Sequence, residues 1–379
     1  MIRLAPSSAR RTGAATLAAA LLATGLAGCG DDAGTDGADG AGGTATEPAE
    51  APGQPLATAA ADWLVEEELA DGLVVNDEFA APDYGATVDA IYSLRAIGYD
   101  EAAITTMTEA VTADAEAYVT PDGAVYAGNA GKLVTLVTDT GGDPADVGGL
   151  DALATLEERT AEDGRTSDDS EYGDYANALG QAWAAKGLSN AGSAEADAAT
   201  DFLLMQQCEA GFLRQDFSAP DAEDQTCDGS EGQPSVDATA LFVLLMHDVE
   251  DETVTAAVES AVGYLVSEQA EDGSFAGGGQ IPANSNSTGF AGRALQLAGE
   301  DGAAEAAATW VREHQLADCD GAVAEESGAI AYDDAAVSAA ADKGLTDKTS
   351  YQWRLATAQA LPALLAAPED ADAAECPSA

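Results

Sequence analysis

The sequence predicts an all-α chain: six helical hairpins closed into an (α/α)6 toroid, preceded by a cleaved leader and a tether. Three observations carry this. Beyond position 58, Ala, Leu and Glu dominate and β-branched alternation is scarce, which is a helical signature. One kind of segment recurs: a polar or Gly/Asp-rich loop, a small-residue helix start, then an apolar helix often stopped by Gly. The recurrence is loose, with 43 residues from Gly98 to Gly141, 46 from Gly141 to Gly187, and 112 from Gly187 to Gly299, which fits two units. Periods of that size belong to stacked supersecondary units.

The N-terminal region reads as a leader. Arg3, Arg10 and Arg11 precede an Ala/Leu-rich run from Ala14, and small residues follow before Cys29. That order is a secretory signal. The run Leu26-Ala27-Gly28-Cys29 resembles the lipobox of bacterial lipoproteins. The resemblance implies that residues 1–28 are removed and that the Cys29 thiol carries a diacylglyceryl group, whose two acyl chains anchor stably. Residues 29–58 have almost no large apolar side chains and are expected to form a disordered linker. The toroid domain is expected over 59–370, and 371–379 form a tail tied by a disulfide.

Within the domain, one helix set is rich in Gly, Ala, Ser and Thr: Tyr84–Gly98, Gly128–Gly141, Asp174–Gly187, Ser235–Asp248, Asn286–Gly299 and Ser350–Ala366. Small residues let helices approach closely, as an inner ring requires. Between them lie amphipathic segments richer in Glu and Asp: Ala60–Leu69, Glu101–Tyr118, Leu150–Ala161, Ala194–Gln207, Glu252–Gln269 and Ala303–Gln315. These suit an outer ring. An open solenoid of the same hairpins is the alternative architecture.

Two stretches make the resemblance specific. Gln269-Ala270-Glu271-Asp272-Gly273-Ser274-Phe275 and Asn284-Ser285-Asn286-Ser287-Thr288-Gly289-Phe290-Ala291 resemble the prenyltransferase/squalene-oxidase repeat of terpenoid cyclase-like toroids. Ser235-Val236-Asp237-Ala238-Thr239 and Asp83-Tyr84-Gly85-Ala86-Thr87 resemble further helix openings of that kind. The chain is also similar to actinobacterial surface lipoproteins built from this repeat. Its fold is related to the helical domain of cobalamin carriers. The resemblance implies fold more firmly than function, because such toroids host unrelated activities.

Charge and cysteines narrow the classes. The chain has 14 Lys+Arg against 68 Asp+Glu, a formal net charge of −54. Nucleic-acid binding needs clustered cations and is ruled against, as is a face resting on anionic lipid. Membrane contact is expected through the lipid alone. Four cysteines remain beyond Cys29. Local pairing would join Cys208 to Cys227 and Cys319 to Cys376, although three connectivities stay open from sequence.

Catalytic motifs are missing. Ala331-Tyr332-Asp333-Asp334 lacks the first Asp of the cyclase Asp-x-Asp-Asp, and Asp168-Asp169-Ser170-Glu171-Tyr172 ends in Tyr where a metal-binding Asp belongs. Gln207-Cys208-Glu209-Ala210 is not a thioester run, and Asp224 to Ser235 ends in Ser where a calcium loop needs Glu. His247 and His314 read as structural rather than as zinc ligands. No catalytic set, metal or cofactor is expected.

What remains is the depression where inner helices converge. Loops opening those helices carry Asp83, Tyr84, Tyr126, Asn129, Tyr172, Tyr175, Asn177, Asn284, Asn286, Phe290, Tyr351 and Trp353. Aromatic walls with a few hydrogen-bonding groups suit a small organic ligand. Lys132, Gln181 and Arg354 fall within inner helices. A Lys inside an apolar helix is costly unless partnered, and Asp89 is the candidate partner. The expected function is small-molecule capture outside the membrane. By resemblance the ligand is corrinoid-like, passed to a membrane transporter, with any β-domain on a separate chain. The alternatives are an enzyme acting on a glycan or isoprenoid through inward carboxylates, and a protein-interaction scaffold.

Overall fold

The computed structural model describes residues 51–376 apart from 231 and 280. The leader, Cys29 and the linker up to residue 50 lie outside the described residues. Among those described, the helices alternate between two rings. In chain order, α1 (Gln54–Asp62) leads to α2 (Tyr84–Ala96). Then α3 (Glu101–Ala113) and the short α4 (Ala115–Val119) lead to α5 (Ala127–Asp139). Next come α6 (Ala152–Glu158) with α7 (Ala178–Ala191), α8 (Ala196–Leu204) with α9 (Val236–Met246), and α10 (Glu252–Glu268) with α11 (Ser285–Ala298). Last are α12 (Asp301–Arg312), α13 (Asp334–Ala340) and α14 (Ser350–Ala360). Helices α2, α5, α7, α9, α11 and α14 each touch the next, and α14 touches α2. The inner ring is therefore closed and its helices run in the same sense. The six-hairpin toroid is the architecture expected, and the open solenoid is excluded.

Three devices recur at the seams. At the start of inner helices, Asp83, Asn177, Ser235 and Asn284 accept the backbone N–H three residues on, satisfying donors a helix end leaves unpaired. Next, a buried inner-helix Thr accepts an N–H from the preceding turn: Val74 to Thr87, Leu213 to Thr239, Phe275 to Thr288, Ile330 to Thr357. Finally, a Gln at the end of an outer helix donates to a turn carbonyl and to the neighbouring outer helix. Gln207 reaches Gly211 and Ala257. Gln269 reaches Gly273 and Ala303. Gln315 reaches Gly328 and Leu56, which joins the last hairpin to the first.

Short antiparallel ribbons precede three inner helices: β1 (Val75–Asn76) with β2 (Ala81–Pro82), β3 (Leu213–Arg214) with β4 (Pro234–Ser235), and β5 (Ala276–Gly278) with β6 (Ile281–Ala283). The disulfides join Cys208 to Cys227 and Cys319 to Cys376, with Cα separations of 4.9 and 5.4 Å. They fit an extracellular or otherwise oxidising compartment. No helix among the described residues is long and apolar enough to cross a membrane.

Some boundaries differ from expectation. Helix α1 opens at Gln54, ahead of position 59, because the Gly53 N–H bonds Leu365 at the far end of the chain. Helix α7 spans Ala178–Ala191 rather than 174–187. Asp168 and Asp174 hold the residues before Asn177 in a loop through bonds to Ala127, Tyr175, Asp168 and Ala176 backbone N–H groups. Gly187, read as a stop, is a contact point inside α7: a Cβ there would lie 2.9 Å from Thr135 Oγ1. The stop is Gly192, at φ +67°.

Candidate functional site

At the end of the ring where inner helices begin, most expected ligand residues are occupied by the protein itself. Asp83 accepts the Ala86 N–H and, at its second oxygen, the Tyr351 hydroxyl at 2.5 Å. Tyr84 donates to Asp114, and Asn129 to the Tyr118 carbonyl. Gln181 is fully buried, accepts from Thr166 and donates to Gly164 and Ala199 carbonyls. Asn177 and Asn284 cap their helices. Trp353 is core, and Arg354 ties α14 to Glu68, Asp77 and the Val75 carbonyl. Tyr172 and Tyr175 stay exposed. Tyr126 is the N-cap of α5, with its N–H on the Val119 carbonyl.

Deeper in, a polar network crosses the ring. Lys132 on α5 donates to Asp89 on α2 at 2.5 Å and to the Gly85 carbonyl at 2.8 Å, and its ammonium lies 5.3 Å from the Trp183 ring centre. Asp89 also accepts from Gln359 on α14 at 3.0 Å, and Gln359 accepts from Asn286 on α11 at 2.5 Å. The partnership of Lys132 with Asp89 is the one expected.

Asp237, in the first turn of α9, is different. Burial pushes its carboxyl pKa up, opposed only by a hydrogen bond from Ser287, and its Oδ1 has no protein partner. Asn286 Oδ1 is likewise buried without a partner. An acid with a raised folded-state pKa binds its proton more tightly when folded. Its contribution to stability therefore falls as pH rises from the ordinary carboxylate range through the raised value. Asp237→Asn is expected to raise the melting temperature at pH 7, with the gain shrinking as pH is lowered toward 4. Thermal unfolding across that range checks it, and a loss at pH 7 would contradict it.

Beneath the network lies a cavity of about 270 Å³. Asp89, Gln359, Trp183, Leu241 and Phe290 line its inner part. Tyr92, Lys186, Leu244, Arg293, Leu297, His247 and Asp248 line it toward the C-terminal ends of the inner helices. The accessible mouth is thus at the end opposite to the loops read from sequence. The network of Lys132, Asp89, Gln359 and Asn286 bridges inner helices at the other end. A wider cleft of about 850 Å³ beside α13 involves surface residues such as Glu313, Asp334 and Glu375, away from the ring axis, and lacks the apolar enclosure of a ligand site.

Of the expected ligand residues, Asp89 and Phe290 line the cavity. Lys132 and Asn286 belong to the network behind it. Sequence reasoning missed Tyr92, Trp183, Lys186, Arg293 and Gln359. A signal existed: Phe290, Arg293 and Leu297 share one helix face by their spacing of three and four, as do Trp183 and Lys186. The volume also corrects the corrinoid expectation. Drug-sized ligands occupy about 300–1,000 Å³, and a corrinoid macrocycle is too large for a cavity of 270 Å³.

Within the cavity the charges are mostly spoken for. Lys186 meets Asp248 at 2.7 Å. Asp139 accepts the Tyr92 hydroxyl and the Asn190 amide, both at 2.8 Å. Trp, Phe, Leu, Ala and Pro make up most of the remaining wall, with Asp89, Ser93, His247, Arg293 and Gln359 as its other polar groups. Such a site holds an apolar body and a few polar contacts.

The sequence matches no family model and no curated protein. Solved structures do match. A protein from Actinoplanes is 16% identical with a TM-score of 0.56, over 83% of this chain and 99% of that one. The type II terpene cyclase MstE from Scytonema, in its apo form, is 15% identical with a TM-score of 0.59, over 83% and 98%. A possible member of the GH105 family from Salmonella enterica is 14% identical with a TM-score of 0.50, over 83% and 93%. At these identities the likeness establishes a shared fold, the α/α toroid.

Proposed function

We propose that this chain holds a small, largely apolar organic molecule in the cavity at the centre of its inner ring. It does so outside the membrane, tethered through Cys29. The observation that carries the reading is the enclosure at the ring axis: Trp183, Leu241, Phe290 and Leu297 around a space closed on one side by the Asp89–Lys132–Gln359 network. The lipobox-like run and the two disulfides support the location. An isoprenoid body fits these walls, and MstE, a neighbour in fold, has geranylgeranyl dihydroxybenzoate as its substrate. Handover to a membrane transporter is the natural sequel for a tethered carrier.

Calorimetric titration with geraniol and with a sugar of similar size tests the reading. Saturable binding of geraniol, weakened at least tenfold by Phe290→Asp, is expected. Binding of the sugar instead would overturn it.

The second reading is an enzyme on an isoprenoid, and Asp237 favours it. Burial raises the pKa of its carboxyl, the direction a general acid needs, although it sits in the first turn of α9 and is not among the residues lining the cavity. Product analysis after incubation with a prenyl substrate decides. Turnover abolished by Asp237→Asn would establish catalysis, and unchanged substrate would leave binding as the function.

A further inference from the structure

Arg293 stands apart from the other charged groups at the cavity. It lies on α11, three residues past Phe290, and lines the cavity wall. Among the described residues its guanidinium makes one side-chain hydrogen bond, to the neutral Gln296 amide oxygen at 2.5 Å. The other charged groups lining the same space have polar protein partners: Asp89 with Lys132, Lys186 with Asp248, Asp139 with Tyr92 and Asn190. Asp139 sits on α5, which is not a ring neighbour of α11. Burial lowers the Arg293 pKa and no nearby carboxylate acts against it. Arg214 and Arg312 also bond neutral glutamine oxygens rather than acids, and what sets Arg293 apart is that it does so at the wall of the ring-axis cavity.

A half-buried charge without a counter-ion is unfavourable. The guanidinium offers five N–H donors in a planar fork whose geometry matches a carboxylate. We propose that Arg293 is the receptor for the acidic head of the ligand, so that the molecule held in the cavity is an apolar carboxylic acid. Its carboxylate takes the paired N–H groups of Arg293 and its body lies against Phe290, Leu241 and Trp183. A monoanion fits better than a phosphate ester. A phosphate carries up to two charges at neutral pH, and the remaining acids at the mouth, Asp139 and Asp248, would oppose the second.

The inference rests on the cavity-binding reading above, and the two fail differently. The full chain is titrated calorimetrically at pH 7 with geranic acid and with geraniol, which share a body and differ in the head. The acid is expected to bind at least tenfold more tightly than the alcohol. Arg293→Gln is expected to remove that preference by weakening the acid more than the alcohol, and Arg293→Lys to keep part of it. Raised salt is expected to weaken the acid alone. Equal affinity for acid and alcohol in the unaltered protein, or a preference that survives Arg293→Gln, overturns the role of Arg293 and leaves cavity binding intact. No binding of either compound overturns both. The comparison of the two compounds on the unaltered protein needs no variant to fold.

Discussion

Gly328→Ala is expected to destabilise the protein by about 3–5 kcal/mol, from strain at a positive φ together with overpacking against backbone. Gly328 sits at φ +102°, where an L side chain is strained, and an added Cβ would lie 2.1 Å from the Ala59 carbonyl oxygen. That oxygen belongs to α1 and cannot swing away as a side chain would. The position is also the seam where the last hairpin meets the first. Gln315 donates to Gly328 and to Leu56 across it. A local clash therefore acts on ring closure, and α1 is expected to lose hydrogen-exchange protection before the rest. Gly98→Ala is the control: its φ is +67° but nothing lies within 4 Å of the new methyl, so about 1–2 kcal/mol is expected. Urea unfolding of both variants checks the pair. Equal losses would show that backbone strain alone acts and that the seam contact is unimportant.

Seams of the same kind elsewhere in the ring were legible in the sequence. The run from Gln269 to Phe275 contains the clamp Gln, the turn Gly and the residue whose N–H meets Thr288. The openings at Asp83 and Ser235 place a cap four residues before Thr87 and Thr239. Each is a local feature with a local cause, and spacing reveals it. The slip of α7 was not legible. Gly187 reads as a stop, yet it is needed inside the helix because α7 approaches α5 too closely for a side chain there. The same residue serves either purpose, and only the neighbour decides.

The site was less legible than the fold. Periodicity assigns helices to the inner ring, and the cost of burying Lys132 pointed to Asp89 as partner. Periodicity does not say which end of the ring is blocked. That is settled by meetings between distant residues, such as Tyr351 with Asp83 and Asn286 with Gln359. The expected rim residues were real helix openings, already used as caps. The residues that line the cavity lie about two to four turns further along those same helices.

The Lys132–Asp89 pair gives the second large effect. Both side chains are 13% exposed, so the pair is neither a surface bridge nor fully dry. Lys132→Met leaves the Asp89 carboxylate with Gln359 as its described side-chain donor. Breaking a buried pair from one side costs about 3–5 kcal/mol, whereas replacing both partners with apolar groups is often near neutral. Lys132→Met alone is therefore expected to lose that amount by urea unfolding, and Lys132→Met with Asp89→Leu to recover most of it. Additive losses in the double variant would show that the two groups act independently. The variants also bear on the ligand. Asp89 lines the cavity as well as joining the network, so an uncompensated carboxylate there opposes the charge that Arg293 is positioned to receive. Lys132→Met should weaken geranic acid more than geraniol, and the double variant should restore the preference. On the proposed reading the network behind the cavity then does more than close one end of the ring: with Lys132 in place, Asp89 does not oppose an acidic head at Arg293.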